Sequence, residues 1–280
     1  MSRITEKFVD CKNRNEGALI AYLMAGDPDY DQSLTALRAV ADAGADIIEL
    51  GVPFSDPMAD GKVIQLAAIR ALEAGTHMPQ IFSLVSKFRE DHTTPLLLMT
   101  YWNPILQYGI ERTCQDAITA GVDGLLITDL PPEEATEWLA VAKTYGIDTI
   151  FLLAPTSPAK RIKLVAEVGS GFTYCVARLG VTGEQAELPA DLFALITRIK
   201  EFTTAPVAVG FGVSTPDQVH QICQHADGVV VGSALVKLIA AHAGKTPLRD
   251  AVMQYISSLK AGTLIDDEGA LADECSNAER

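Results

Sequence analysis

Eight short apolar runs, rich in Val, Ile, Leu and aromatic residues, recur along this 280-residue chain with helical patterns between them. They fall at residues 18–25, 46–52, 96–102, 124–130, 149–154, 172–178, 206–211 and 228–232. Three are introduced by related phrases: A-G-A-D-I-I-E-L from Ala43, A-G-V-D-G-L-L-I-T-D-L from Ala120 and H-A-D-G-V-V-V-G-S from His225. In each, a helix ends near Gly or Asp and a strand begins at once. Runs without polar alternation are what a parallel sheet covered on both faces requires.

The segments between them have one apolar face each. Leu34, Leu37 and Ala41 form one such stripe, and Ile64, Ala67, Ala68, Ala71 and Leu72 another. Leu139, Ala142 and Tyr145 repeat the spacing, as do Leu192, Ile196 and Ile199. Eight βα units in roughly 250 residues predict an α/β fold of the (β/α)8 TIM-barrel type. A doubly wound open sheet is the alternative, but its glycine-rich fingerprint after the first strand is replaced here by A-G-D-P-D-Y. An amphipathic segment at 4–12 precedes the first strand and is placed to cap the barrel floor. The expected organisation is one barrel domain over 1–262, with residues 263–280 as an acidic, flexible tail.

A formal charge of −14 and a pI near 4.7 speak against nucleic acid and anionic membrane surfaces as partners. No run is long enough to span a bilayer, and the first residues lack the apolar core of a signal peptide. Five scattered cysteines without a C-x-x-C fit reduced thiols, so a cytoplasmic location is expected.

In barrels of this type the chemistry lies at the C-terminal strand ends, and phosphate binds after strands seven and eight. Glu49 breaks the apolar run of strand two, and the Pro/Asp/Gly-rich loop that follows ends in Asp60. A carboxylate on a buried strand is costly unless paired or used in chemistry, so the two are candidate acid–base partners. The competing uses are a buried ion pair for Glu49 and an N-cap for Asp60. Asp129 ends strand four and suits a loop cap or an orienting contact. Tyr101, which ends strand three, and Tyr174, on strand six, are expected to contact the substrate, and Tyr22, Met99, Ile127 and Phe211 to form apolar walls around it. Gly210-Phe211-Gly212 and Gly232-Ser233 each lead into a helix, an arrangement that lets backbone N–H groups approach an anion. The loop 179–183, ending in Gly183, is a candidate third wall.

No lysine or histidine stands in these strands or at their ends, which disfavours Schiff-base and zinc-aldolase chemistry. His220, Cys223 and His225 do not share a helix face well, and no metal site is expected. What remains is acid–base cleavage or isomerisation of a small phosphorylated substrate that supplies its own electron sink.

The motif E-L-G-V-P-F-S-D-P-M-A-D-G, with G-F-T-Y, R-L-G-V-T-G, G-F-G-V-S and V-G-S-A-L-V-K, closely resembles the tryptophan synthase α family from about residue 4 to residue 260. That resemblance implies a lyase splitting indole-3-glycerol phosphate into indole and glyceraldehyde 3-phosphate in tryptophan biosynthesis. It implies Glu49 as the acid–base at indole C3 and Asp60 as the stabiliser of charge on the indole nitrogen. Phe211, Gly212, Gly183, Gly232 and Ser233 would hold the phosphate, Tyr174 would position the substrate, and Asp129 and Thr182 would serve loop closure. No cofactor is implied in this chain. The implied partner is a β subunit that carries pyridoxal phosphate (PLP), in an αββα heterotetramer. Departures from the family pattern stand at Lys62, Met24 and Ala177; the last removes a hydrogen bond near the mobile loop. A stand-alone indole-3-glycerol phosphate lyase, a phosphate-binding barrel isomerase and a catalytically inert binding barrel are the alternatives.

Overall fold

A computed structural model describes residues 2–176, 192–210, 212–245 and 247–266. Its strands are β1 (Ala18–Met24), β2 (Ile47–Gly51), β3 (Leu96–Thr100), β4 (Gly124–Ile127), β5 (Asp148–Leu153), β6 (Thr173–Val176), β7 (Val207–Gly210) and β8 (Gly228–Val231). They pair in parallel in that order and close, β8 on β1. The expected (β/α)8 barrel is the observed fold.

Strand parity divides the core. Ala18, Ile20, Tyr22 and Met24 of β1, Ile47 of β2, Leu97 of β3, Leu126 of β4 and Val230 of β8 pack inside the barrel. Their neighbours Leu19, Ile48, Leu98, Leu125 and Val229 pack outward under the helices. The register sets Tyr22 beside Glu49, so the same alternation that buries Ile47 turns Glu49 inward.

Helix α1 (Arg3–Asn13) closes the floor. Ser2 caps it, and its buried Ile4, Phe8 and Cys11 join the inner cluster, with Phe8 5.5 Å from Phe172. The three related phrases have a common structural purpose there. Asp46, just before β2, donates its N–H to the Leu19 carbonyl and accepts the Leu19 N–H on its carboxylate, both at 2.9 Å. Asp123 does the same with Leu96 of β3, and Asp227 with Val207 of β7. Ser170, before β6, completes the series with Thr149 of β5 through its hydroxyl. The residue leading into each even-numbered strand, β2, β4, β6 and β8, thus satisfies an amide at the start of the strand before it. Cations hold the three carboxylates: Lys260 and Arg14 at Asp46, Arg89 and Arg3 at Asp123, Lys200 at Asp227.

The helices α2 (Tyr30–Asp42), α4 (Met78–Arg89), α6 (Ile110–Ala120), α7 (Thr136–Tyr145), α8 (Ala159–Val168), α9 (Leu192–Lys200), α10 (Pro216–Cys223) and α12 (Leu248–Ala261) contribute buried side chains to the outer layer. Three further helices lie between them: α3 (Lys62–Glu73), α5 (Trp102–Tyr108) and α11 (Ser233–Ala241). α3 is placed differently from the outer helices. Its Ile64, Ala67, Ala68 and Ala71 belong to the inner cluster with Tyr22, Met24 and Val236, so α3 roofs the barrel mouth while α4 covers the wall. Beyond α12, Thr263 is buried and accepts the Gly17 N–H, and Leu264 bridges Glu16. The acidic residues 267–280 lie outside the described residues. Among the described residues no helix is long and apolar enough to cross a membrane.

Candidate active site

The C-terminal strand ends surround a pocket. Glu49 and Asp60 stand in its wall with Tyr22 and Tyr174; Met99, Leu152, Val176 and Val230 make it apolar, and Ala59 and Ile64 close it from the side of α3. Gly210, Gly212, Gly232 and Ser233, at the ends of β7 and β8, form its rim.

Glu49 is 1% exposed, and among the described residues neither of its carboxyl oxygens has a hydrogen-bond partner. Among those residues the buried ion pair that the sequence left open is not made. Burial first, and the Asp60 charge second, push the Glu49 carboxyl up to about 8, so it holds its proton at neutral pH. Asp60 does not cap α3 either: Gly61 is the N-cap, without a side-chain bond. The Asp60 carboxyl instead takes a hydrogen bond from Tyr101, which opposes the effect of burial and leaves it at about 6. At pH 7 the pair comprises one acid and one carboxylate, a division of roles set by environment.

Two tyrosines flank Glu49 in matching positions. Tyr22 on β1 lies over Gly51 at the end of β2, and Tyr174 on β6 lies over Gly210 at the end of β7. A Cβ on either glycine would overlap the tyrosine hydroxyl, so each strand end lacks a side chain where its neighbour's ring must pass. Burial and the nearby carboxylates raise both phenols well above their ordinary range.

Tyr101 is not itself in the pocket wall. It packs on Phe54 with ring centroids 5.3 Å apart, and its hydroxyl accepts the Ala59 N–H at 3.0 Å. Ile127 corrects a second expectation. It packs in the outer layer, because Gly124 and Leu126 take the inward positions of β4, and Thr128 lines the pocket in its place. Asp129 is exposed and accepts the Trp102 N–H at 2.6 Å, tying the end of β4 to the start of α5. Phe211, Thr182, Gly183, Ala177 and Arg178 lie outside the described residues.

The two helices at the glycine rim differ in a telling way. Thr215 and Gln218 form a capping box on α10, and Ser214 and Thr215 also donate to the Gln218 side chain, so that helix satisfies its own first amides. α11 starts at Gly232 with no side-chain cap, and its first residue, Ser233, borders the pocket. An uncapped helix start beside glycine backbone is suited to an anion.

Sequence reasoning missed Ala59, Ile64, Thr128, Leu152, Val176 and Val230 as lining residues. For Thr128 a signal existed: counting by twos from Gly124 selects it. Runs apolar on both faces conceal which parity is inward. Among the described residues no group of three metal-ligating side chains gathers; Cys223 is buried, and His225 packs on Phe193.

Fold and pocket define a (β/α)8-barrel enzyme with its polar groups gathered at the C-terminal strand ends. The sequence profile of the tryptophan synthase alpha chain family matches residues 8–263. The tryptophan synthase alpha chain of Geotalea uraniireducens is 50% identical over 262 residues, covering 94% of this chain and 98% of that one. That of Geobacter sulfurreducens is 48% identical over 260 residues, covering 93% and 98%. Among solved structures, Mycobacterium tuberculosis tryptophan synthase superposes with a TM-score of 0.87 at 38% identity, over 95% of this chain and 99% of that chain. The alpha subunit from Legionella pneumophila gives 0.86 at 36% identity, over 94% and 98%. The chain belongs to the tryptophan synthase alpha chain family. The isomerase and stand-alone alternatives are not favoured by these likenesses.

Proposed function

We propose that this chain catalyses the carbon–carbon lyase step of tryptophan synthesis, cleaving indole-3-glycerol phosphate to indole and glyceraldehyde 3-phosphate. The observation that carries the reading is Glu49: a buried carboxyl, without a hydrogen-bond partner among the described residues, that keeps its proton at neutral pH beside an ionised Asp60. Glu49 gives its proton to C3 of the indole ring, which leaves a positive charge on the ring nitrogen. Asp60 stabilises that charge. The Glu49 carboxylate then takes the proton of the adjacent side-chain hydroxyl. The bond from C3 to that carbon breaks, its electron pair restores the neutral indole, and the carbon becomes the aldehyde of glyceraldehyde 3-phosphate. Glu49 ends protonated, as it began.

Gly212, Gly232 and Ser233, with Gly183 and Phe211, hold the phosphate in this reading. Tyr22 and Tyr174 orient the substrate. The loop from Phe54 to Asp60 and the one around Thr182 close the site, with Asp129 as a contact, and exclude water from the cation. The partner is a PLP-bearing β subunit in an αββα assembly, and the compartment is the cytoplasm. A docking role for the mouth of the barrel is supported by its exposed apolar side chains, Met58 at 93% and Leu106 at 48%. The decisive experiment is indole release from indole-3-glycerol phosphate, with and without a β subunit. No indole under either condition would reject the proposal.

A further inference from the structure

Asp60 reaches the pocket on the loop that leads into α3, so its position depends on how that helix is held. α3 has little of its own to fix it. It packs chiefly on β1 and α11, and three of its four buried residues are alanines, Ala67, Ala68 and Ala71. Small side chains make a flat contact that resists sliding or tilting weakly. Its opposite face, with Leu66 and Ile69, is exposed.

The loop between β1 and α2 supplies what the helix lacks. Asp27 is 2% exposed and receives both arms of the Arg70 guanidinium, Nε to Oδ1 at 2.7 Å and Nη2 to Oδ2 at 2.8 Å. A two-armed pair fixes orientation as well as distance. One turn beyond α3, the Thr76 side chain presses on Gly26, where a Cβ would overlap it; Gly26 has φ +76°. The Gly26 N–H is anchored in turn on Ser33 of α2 at 3.0 Å. Two successive residues of one loop thus grip α3 at two points.

We propose that Asp27 and Arg70 are positioning residues for Asp60, the loop of Gly26 and Asp27 being the socket that sets the tilt of α3 over the barrel mouth. The claim rests on the role given to Asp60 under the proposed function. Arg70 lies eight residues into the helix from Lys62, about 12 Å at 1.5 Å per residue. A tilt of about 5° about that point moves the start of the helix by about 1 Å, and a misplacement of that size can lower a rate about a hundredfold. Neither Asp27 nor Arg70 lines the pocket, so substrate affinity is not their direct charge.

The test compares kcat and KM for indole release in Arg70→Ala, Arg70→Lys and Asp27→Asn. Arg249→Ala, which breaks a surface pair with Asp42, is the control. Arg70→Ala is expected to lower kcat at least about tenfold with KM within about threefold, and Arg70→Lys to recover part of the loss. Amide hydrogen exchange over residues 59–66 should quicken in Arg70→Ala and not in the control. A folded Arg70→Ala or Asp27→Asn protein with kcat within about twofold of the parent would overturn the proposal, whatever its melting temperature. If Arg70→Ala does not fold, the near-isosteric Asp27→Asn decides on the same criterion. If the parent itself releases no indole, the functional reading fails, and exchange at 59–66 still decides whether the pair holds this segment.

Discussion

The hydroxyl of Tyr101 is hydrogen-bonded to the Asp60 carboxyl while it accepts the Ala59 N–H, so the end of the third strand holds the acid that follows the second. This contact separates the two carboxyls in strength. Glu49 has burial and the Asp60 charge against its ionisation and, among the described residues, no hydrogen bond to help it. Asp60 is also pushed up by burial but is held back by Tyr101. Without that phenol the site would tend toward two protonated acids at neutral pH.

Tyr101→Phe removes the hydrogen bond that lowers the Asp60 pKa. The parent should show a bell-shaped dependence of kcat/KM on pH, falling below about 6 as Asp60 protonates and above about 8 as Glu49 ionises. In Tyr101→Phe the acid limb should move to higher pH and kcat at the optimum should fall by about tenfold. An acid limb that stays in place would show that the phenol does not set the Asp60 charge.

Glu49→Gln keeps the shape of the residue and deletes its proton. Indole release should vanish, with substrate binding retained within about tenfold, because the carboxyl acts on reacting atoms and the rest of the pocket is untouched. Rapid-quench measurement of indole alongside a direct binding titration checks both halves. Retained turnover would remove Glu49 from the mechanism.

The same substitution should stabilise the protein, in a pH-dependent way. The folded pKa of Glu49, about 8, lies above its ordinary 4.5. The stability tied to its bound proton is complete below about 4.5 and is lost as pH rises toward about 8. At pH 7 the loss is on the order of 3 kcal/mol at 1.36 kcal/mol per pH unit, and Glu49→Gln escapes it. Urea unfolding at pH 5, 6, 7 and 8 should show the advantage of the variant growing with pH; a constant difference would mean that Glu49 is not protonated in the folded state.

Inorganic phosphate and glycerol phosphate should compete with substrate at millimolar concentration, through the uncapped start of α11 and the glycine rim. Initial rates at several phosphate concentrations test this. A purely non-competitive effect, or none, would place the anion elsewhere.

The barrel was legible because eight buried parallel strands must be apolar on both faces, and the aspartates of the recurring phrases, Asp46, Asp123 and Asp227, marked where three of them begin. Glu49 was legible because ionisable groups rarely interrupt such runs, and Asp60 because it ends the polar loop that follows the same strand. The same property hid the pocket. A strand apolar on both faces does not declare which parity is inward, and Ile127 was assigned to the wall that Thr128 occupies. The two readings of Asp60, cap or acid, differ by one residue in where a helix begins, finer than sequence periodicity resolves.

From sequence alone came the eight-fold βα repeat, Glu49 and Asp60, and the glycines of the pocket rim, since each follows from local pattern or from a residue out of keeping with its surroundings. Tertiary structure alone decided that Glu49 has no hydrogen-bond partner among the described residues, that Tyr101 holds Asp60, that α3 roofs the mouth, and that Arg70 meets Asp27 43 positions away. Those are relations of distance and burial between segments far apart in the chain, and the charge state of a buried carboxyl depends on them rather than on its sequence neighbours.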